Sequence, residues 1–409
     1  MIWVVVVGGL FLLVFLHELG HFAASFAVGI RPRSFYVGFP PALVKTNRWG
    51  IEFGLGAIPL GGLVRIPGMH RPAGHDLETY LAQALREEPG LLPAVKRVRR
   101  ALDADDFERA HEAIPELREA VRAAQLSTWT RRSAERALRD VDEGTGHDAY
   151  WRQPTWKRVT VIAAGPLANV LVAFVIFFCV YATGAPSQTP TTKVAVVSSG
   201  TPAAAAGLRP GDRVIGVDGI PTTSFEDVSQ LIRGSHGKAI TVSVQRGSRS
   251  VTLGPRRTIH RAGRWIWGFE PAARLVSYPL GQSFRMAAGD CWQVVSGTTG
   301  AIVSMVAGRG HTQVTSTVGI ARISAAALKV SFNWYLQIVG FVSMSLTLLN
   351  LLPLLPLDGG HILFSLIEAV RRRALAREVY ERVSMVGFTL ILLIWVIALS
   401  SDLGGGAAH

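Results

Sequence analysis

The stretch His17-Glu18-Leu19-Gly20-His21 carries three side chains whose types and spacing suit metal-dependent hydrolysis. Two histidines four residues apart on a helix project from one face and can bind one divalent ion. The glutamate between them then lies beside a metal-bound water and can take its proton. The spacing therefore predicts a catalytic zinc site, with His17 and His21 as ligands and Glu18 as general base.

The surroundings of this motif are apolar throughout residues 2–30, whereas soluble metalloproteases carry the motif on an amphipathic helix. Such a stretch is long enough to cross a bilayer, with the motif toward its C-terminal end. Ionisable side chains at membrane depth are costly and usually functional. The stretch also lacks a basic n-region and a small-residue cleavage site, so we expect a retained membrane helix and not a signal peptide.

A third ligand must come from elsewhere, because a catalytic zinc uses three protein ligands and one open position. Ala27 stands where a metzincin-type extension would supply another histidine. The candidate is Asp358, which ends an apolar, proline-containing stretch at residues 350–357. An Asp at the centre of a membrane helix costs about 2.5–3.5 kcal/mol, and a metal partner would offset that cost. The alternative is that Asp358 caps the next helical turn at the interface.

Composition and charge distribution fit a membrane protein with water-exposed parts. The 409 residues are 49% hydrophobic, with a mean hydropathy of +0.30. The net charge of +13 comes from basic residues that cluster beside apolar segments, as in Arg371-Arg372-Arg373. That pattern is typical of topology signals and argues against nucleic-acid binding. Cys179 and Cys291 lie in apolar surroundings, and we expect buried thiols and no disulfide framework.

Four apolar segments are predicted to span the membrane: residues 2–28, 159–183, 334–357 and 386–399. A weaker stretch at 284–306 predicts either a surface-lying or a re-entrant helix. Basic residues follow the first span and fill the loop between the third and fourth. The positive-inside rule then makes residues 29–157 and 371–382 cytoplasmic, and the N-terminus and the region after the second span extracytoplasmic.

Between the first two spans the sequence changes character twice. Residues 51–66 alternate β-forming residues with glycine pairs, which predicts a β-hairpin. This hairpin either dips toward the catalytic cleft or is an ordinary cytoplasmic one. Residues 71–150 interleave acidic and basic residues at helical spacing and predict two or three helices. That insert is either a solvated helical module without chemistry or a docking site for a cytoplasmic partner.

The region after the second span resembles a PDZ domain of the bacterial, circularly permuted type. The resemblance is carried by residues 207–219, GLRPGDRVIGVDG, followed by a helix candidate and alternating strands. It implies binding of extended peptides by strand addition at a sheet edge.

Three separated motifs together resemble the site-2 protease family, and the PDZ-like region matches its bacterial branch. They are His17-Glu18-x-x-His21 in the first span, Gly165-Pro166-x-Ala168-Asn169 in the second, and Asn350 to Asp358-Gly359 near the third. The resemblance covers nearly the whole chain except residues 71–150. Two departures stand out: Pro353 and Pro356 are three residues apart instead of two, and the charged insert is longer than the usual loop.

The resemblance assigns a role to each motif residue. It implies that His17, His21 and Asp358 bind Zn²⁺ and that Glu18 is the general base. It also implies that Asn350 hydrogen-bonds the substrate backbone or the developing oxyanion; the alternative is a polar link between helices.

Two further polar residues near these motifs have weaker assignments. Asn169 is interpreted as a helix-packing residue near the site. His361 is either a partner of a metal ligand or a simple interfacial histidine.

The implied activity is that of a zinc metalloendopeptidase in the bacterial inner membrane. Its substrates would be single-span membrane proteins, such as anti-sigma factors or remnant signal peptides, already cut by an upstream site-1 type protease. Two rivals are a non-catalytic membrane scaffold with a structural metal and a zinc-dependent transporter. A structural site does not need Glu18, and the sequence shows no repeat symmetry that a transporter would suggest.

We predict a polytopic α-helical membrane protein with about four transmembrane helices, a membrane-associated β-hairpin and one extracytoplasmic α+β PDZ domain. The predicted boundaries are 1–69 for the first span with the zinc motif and hairpin, 70–157 for the cytoplasmic insert, 158–185 for the second span, 186–275 for the PDZ domain, 276–333 for a linker with an amphipathic or re-entrant helix, and 334–409 for the last two spans with the Asp motif.

Overall fold

The computed structural model describes residues 2–261, 263–306, 317–375 and 377–404. Part of the predicted linker, residues 307–316, lies outside this description. The described helices are α1 (Ile2–Ala27), α2 (Gly74–Glu87), α3 (Leu92–Asp103), α4 (Phe107–Ala123), α5 (Thr128–Thr145), α6 (Thr155–Thr183), α7 (Pro202–Ala205), α8 (Phe225–Gly234), α9 (Leu280–Val306), α10 (Thr317–Val330), α11 (Phe332–Asn350), α12 (Asp358–Arg371) and α13 (Arg377–Gly404). The strands are β1 (Ser34–Arg48), β2 (Ile51–Arg65), β3 (Ala185–Val197), β4 (Arg213–Val217), β5 (Ile220–Pro221), β6 (Ala239–Arg246), β7 (Arg249–Arg257), β8 (Ile259–Arg261), β9 (Arg264–Ile266) and β10 (Phe269–Val276).

Four described helices are long and apolar enough to cross a membrane: α1, α6, α11 and residues 378–397 of α13. Their number agrees with the prediction, and the two largest differences in their boundaries are at the end of α11 and the start of α13. Helix α11 ends at Asn350 and not at residue 357, because Pro353 and Pro356 cannot continue an α-helix. Helix α13 begins earlier than predicted, at Arg377, because the charged residues before the apolar stretch are also helix formers. Residues 280–306 form one continuous helix, α9, which is not among the four.

The chain divides into two compact units. The first contains residues 1–3, 174–293 and 320–340. Its centre is a six-stranded sheet in the order β10-β3-β4-β6-β7, with β5 paired to β4. Alternate apolar residues of these strands and of α8 bury a core around Trp267. This α+β fold occupies the region for which the sequence predicts a PDZ domain, and that family assignment stays a prediction.

The second unit contains residues 4–173, 294–319 and 341–409, and therefore all three motifs. The insert within it has four helices, α2–α5, whereas the sequence predicts two or three. The extra breaks come from Pro89, which starts a short 3₁₀ turn after α2, and from Asp106 and Ser127, whose side chains cap α4 and α5.

The insert has a core of its own because each helix turns one apolar face inward. Its two ends are also close together in space. The Tyr150 N–H donates to the Pro67 carbonyl over 2.9 Å, and the Trp151 N–H donates to the Gly68 carbonyl over 3.0 Å.

The predicted hairpin at residues 51–66 is wrong in its pairing. The tight turn lies earlier, at Trp49 and Gly50, whose φ angles of 54° and 75° suit a two-residue hairpin loop. Residues 44–48 therefore pair with 51–55, while residues 34–37 lie between 52–55 on one side and 62–65 on the other. The two halves of the predicted hairpin thus flank a third segment, and we call the whole the β1–β2 sheet.

Candidate metal centre

Helix α1 brings His17 and His21 together because four residues make about one helical turn. Both side chains are buried, each residue being 7% exposed, and their Nε2 atoms lie 3.2 Å apart. Asp358, the first residue of α12, points at both. Its Oδ2 lies 3.1 Å from the Nε2 of His17 and 3.4 Å from that of His21.

The loop before α12 makes this position of Asp358 specific. Residues 351–357 fold back over the start of the helix, so closely that a Cβ at Gly359 would lie 2.2 Å from the Leu351 carbonyl oxygen. A Cβ at Gly360 would lie 2.5 Å from the Leu355 nitrogen. Only glycine fits at these two places, which explains the Asp-Gly-Gly sequence.

These three donor atoms suit a metal ion. They all lie within 4.8 Å of one another, and the buried Asp358 Oδ2 makes no hydrogen bond within the described residues. Zinc bonds of about 2.0–2.1 Å in tetrahedral geometry separate neighbouring donor atoms by roughly 3.3 Å. The observed separations of 3.1, 3.2 and 3.4 Å match that spacing.

Helix α6 holds His21 in the orientation that a metal ligand needs. The Nδ1 of His21 lies 2.9 Å from the Val161 carbonyl oxygen, which can only accept. The proton is therefore on Nδ1, and Nε2 keeps its lone pair for a metal. One turn further along α6, Gly165 leaves room for the ring, since a Cβ there would lie 2.3 Å from Nε2.

Asn169 on the same helix contacts the other histidine. It is fully buried, and its amide nitrogen lies 3.2 Å from the His17 Nδ1, while its Oδ1 has no partner among the described residues. Exchange of the amide N and O positions lets Oδ1 accept from Nδ1–H, which satisfies both groups. Its backbone carbonyl also accepts from the Ser343 hydroxyl of α11 over 2.8 Å.

Glu18 lies against the β1–β2 sheet. A Cβ at Gly62 would lie 2.3 Å from the Glu18 Cγ and 3.0 Å from its Oε1. The segment 62–65 is therefore packed directly on the predicted general base.

Two other predicted residues lie apart from these hydrogen bonds. Asn350, the last residue of α11, is partly exposed, and its side chain makes no hydrogen bond to a described residue. His361 stacks on Tyr380 with ring centroids 6.4 Å apart.

A buried ion pair that the sequence analysis missed joins α6 to α12. Arg158 Nη2 lies 2.5 Å from Glu368 Oε2, and the side chains are only 7% and 8% exposed. The same guanidinium donates to the Ser365 hydroxyl over 3.0 Å. The pair links the helix that begins with Asp358 to the helix that carries Val161 and Gly165. A glutamate within residues 362–370, which are otherwise apolar apart from Ser365, is the signal that could have revealed it.

Comparison with known proteins gives consistent matches along the whole chain. The model of Peptidase family M50 matches residues 5–394. A zinc metalloprotease of Mesorhizobium japonicum is 30% identical over 408 residues, which cover 96% of this chain and 95% of that protein. The metalloprotease MmpA of Caulobacter vibrioides is 27% identical, over 95% of this chain and 91% of that protein. The regulator of sigma-W protease RasP of Bacillus subtilis is 25% identical, over 96% of this chain and 95% of that protein.

The match extends from α1 through the helices that hold the candidate ligands to α13, and the matched relatives are named metalloproteases. It sets aside the scaffold and transporter alternatives. The chain belongs to Peptidase family M50, the site-2 protease family, and is a zinc metalloendopeptidase.

Proposed function

We propose that this protein hydrolyses peptide bonds in or near the transmembrane segments of single-span membrane proteins. The observation that carries the proposal is that Asp358 meets His17 and His21 beside Glu18, and that both histidines and Glu18 lie on α1, a helix apolar enough to cross a membrane. A protease whose catalytic groups lie on such a helix can reach bonds that soluble proteases cannot.

In this proposal His17, His21 and Asp358 bind the zinc ion and Glu18 is the general base. When bound, the zinc ion would act as a Lewis acid that polarises the scissile carbonyl and makes the attacking water more acidic. Glu18 takes the proton of the attacking water and delivers it to the leaving amine, a contribution of about 10²–10⁴ in rate. Segment 62–65, which packs on the Glu18 side chain through Gly62, holds the carboxylate in place for this transfer.

The substrate must be extended before it is cut, because the carbonyls of a helix are bonded internally. Segment 62–65 pairs on one side with residues 34–37, and its other edge pairs with no described strand. Since Gly62 touches Glu18, a peptide added to this free edge would lie beside the general base. Asn350, whose amide makes no hydrogen bond to a described residue, is the proposed partner of the substrate backbone or the oxyanion.

The proposal also covers the membrane topology of the chain and the selection of its substrates. The N-terminus and the α+β fold at 185–276 lie outside the inner membrane, and residues 29–157 and 371–382 lie in the cytoplasm, in keeping with the basic flanks. The α+β fold acts as a PDZ domain that screens substrates left by an upstream site-1 type protease. Because a relative is named regulator of sigma-W protease, anti-sigma factors are the first substrates to test, within regulated intramembrane proteolysis.

The test is cleavage of a single-span model substrate co-expressed with wild type or Glu18→Gln, together with zinc analysis of each purified protein. We expect Glu18→Gln to keep zinc and to lose at least about a hundredfold in rate. Glu116→Gln, an exposed glutamate of the insert, is the matched control and should cleave normally. Undiminished cleavage by Glu18→Gln, or a zinc-loaded wild type that cuts none of several truncated substrates, would refute the proposal.

A further inference from the structure

A cluster of ion pairs connects the insert to the β1–β2 sheet. Arg65, the last residue of β2, lies 2.7 Å from an Asp140 carboxylate oxygen and 3.1 Å from a Glu143 oxygen. Arg33, just before β1, lies 3.0 Å from Asp148 and 3.9 Å from Glu143. We call these five residues the arginine clamp.

The two arginines act on one edge of the sheet, because the Arg33 N–H donates to the Arg65 carbonyl over 2.8 Å. The three carboxylates all belong to the insert, at α5 and just after it. The Glu143 side chain is only 17% exposed, and burial raises its pKa although both arginines oppose the shift. Water and salt therefore screen the pairs of Glu143 less than the Arg65–Asp140 pair, whose side chains are 40% and 57% exposed.

The clamp lies within one strand segment of the general base. Gly62 packs on the Glu18 side chain, and Arg65 lies three residues further along the same segment of β2. A strand rises about 3.3 Å per residue, so Arg65 is anchored within roughly 10 Å of that contact. A displacement of segment 62–65 would therefore move the backbone that packs against the Glu18 side chain.

We propose that the insert is a positioning element for catalysis: its carboxylates hold Arg33 and Arg65, and thereby fix segment 62–65 against Glu18. Arg65 is then a positioning residue that acts on Glu18 through the backbone of segment 62–65. This inference rests on the proposed role of Glu18 as general base. It also gives the insert a function at the active site without any contact between its helices and the substrate.

The clamp can be tested by reversing charges from either side. Arg65→Glu reverses the charge on the sheet side and removes the ion pairs of Arg65. Arg65→Glu combined with Asp140→Arg restores an opposite-charge pair between the same two positions. Asp140→Asn with Glu143→Gln weakens the clamp from the insert and leaves the sheet sequence intact. Arg97→Glu is the matched control, because Arg97 pairs with Glu116 inside the insert and does not touch the sheet.

Two readouts on the full-length protein in detergent or vesicles separate positioning from general damage. Hydrogen–deuterium exchange of residues 51–66 reports whether the sheet is held, and kcat and KM for the model substrate report whether that hold affects hydrolysis. We expect Arg65→Glu to speed exchange about tenfold and to lower kcat about tenfold, with KM and zinc content nearly unchanged. The charge swap should recover both quantities to within about threefold.

The clamp would be overturned if Arg65→Glu matched Arg97→Glu in exchange and in kcat, or if the charge swap recovered neither. Faster exchange with unchanged kcat would overturn its role in catalysis. Failure of the proposed function looks different. In that case the wild type would cut no membrane substrate, while exchange would still follow the order wild type, charge swap, Arg65→Glu.

Discussion

Replacing Gly165 by alanine tests how tightly helix α6 confines the His21 ring. The added Cβ would lie 2.3 Å from Nε2, 2.5 Å from Cε1 and 2.8 Å from Cδ2. Ordinary contact begins at 3.4 Å, so the Nε2 atom must move from 2.3 to 3.4 Å, about 1.1 Å. The ring cannot simply rotate away, because its Nδ1 is bonded to the Val161 carbonyl of the same helix.

A movement of that size is large for a metal ligand, whose bond lengths vary by only about 0.2 Å in functional sites. Disturbing a residue that merely supports a ligand costs about 10–100-fold in metal affinity. Displacing the ligand atom should cost at least the upper end of that range. We therefore expect zinc affinity to fall by at least about 100-fold, or about 2.7 kcal/mol.

The assay is zinc binding by competition with a chelator of known affinity, followed by cleavage of the model substrate at saturating zinc. Gly8→Ala is the control, since Gly8 lies on α1 and nothing lies within 4 Å of its Cβ position. Gly8→Ala should match wild type in both measurements. Wild-type zinc affinity in Gly165→Ala would refute the reasoning, because it would mean that His21 is not confined by α6 or is not a ligand.

Three further substitutions test other parts of the fold. Asn169→Ala removes the partner of the His17 Nδ1 and should weaken zinc binding about 10–100-fold without loss of helix content, as chelator competition and circular dichroism would show. Glu368→Gln leaves the buried Arg158 charge without its partner; we expect about 3–5 kcal/mol lower stability, seen as a reduced Tm, with Glu378→Gln on exposed α13 as control. Arg246 and the Arg209 N–H lower the pKa of Asp212 below its usual value. The ionised Asp212 therefore stabilises the fold above about pH 4, and this stabilisation is lost as the pH falls through the folded pKa. In Asp212→Asn, exchange protection of β4 and β6 should be weaker at neutral pH and should fall less steeply on acidification.

The two histidines of the candidate site could be predicted from their local spacing. The four-residue interval between His17 and His21 fixes a shared helix face without any knowledge of the rest of the chain. Asp358 could be predicted as the third ligand because a carboxylate directly after an apolar span is unusual in itself. The end of α11 was misplaced because hydropathy alone carries the apolar residues 351–357 into the span, whereas their prolines stop the helix at Asn350.

Contacts between distant parts of the chain could not be predicted in this way. The Val161 carbonyl is 140 positions from His21, and nothing in the local sequence of either shows that they meet. The same holds for Gly165 and for the pairing of Arg65 with Glu143. The β1–β2 sheet shows the limit most clearly, since residues 51–66 have the composition of a hairpin but fold around residues 34–37.

The closeness of the two ends of the insert has a consequence for how this chain tolerates changes in length. Because Pro67 and Gly68 are hydrogen-bonded to Tyr150 and Trp151, the residues between them leave the rest of the unit and return to the same point. The positions of helices α1 and α6 therefore do not depend on how many residues the insert contains. Lengthening or exchanging this module would alter its own core while leaving the distance between the two motif-bearing helices unchanged, provided the carboxylates facing Arg33 and Arg65 are kept.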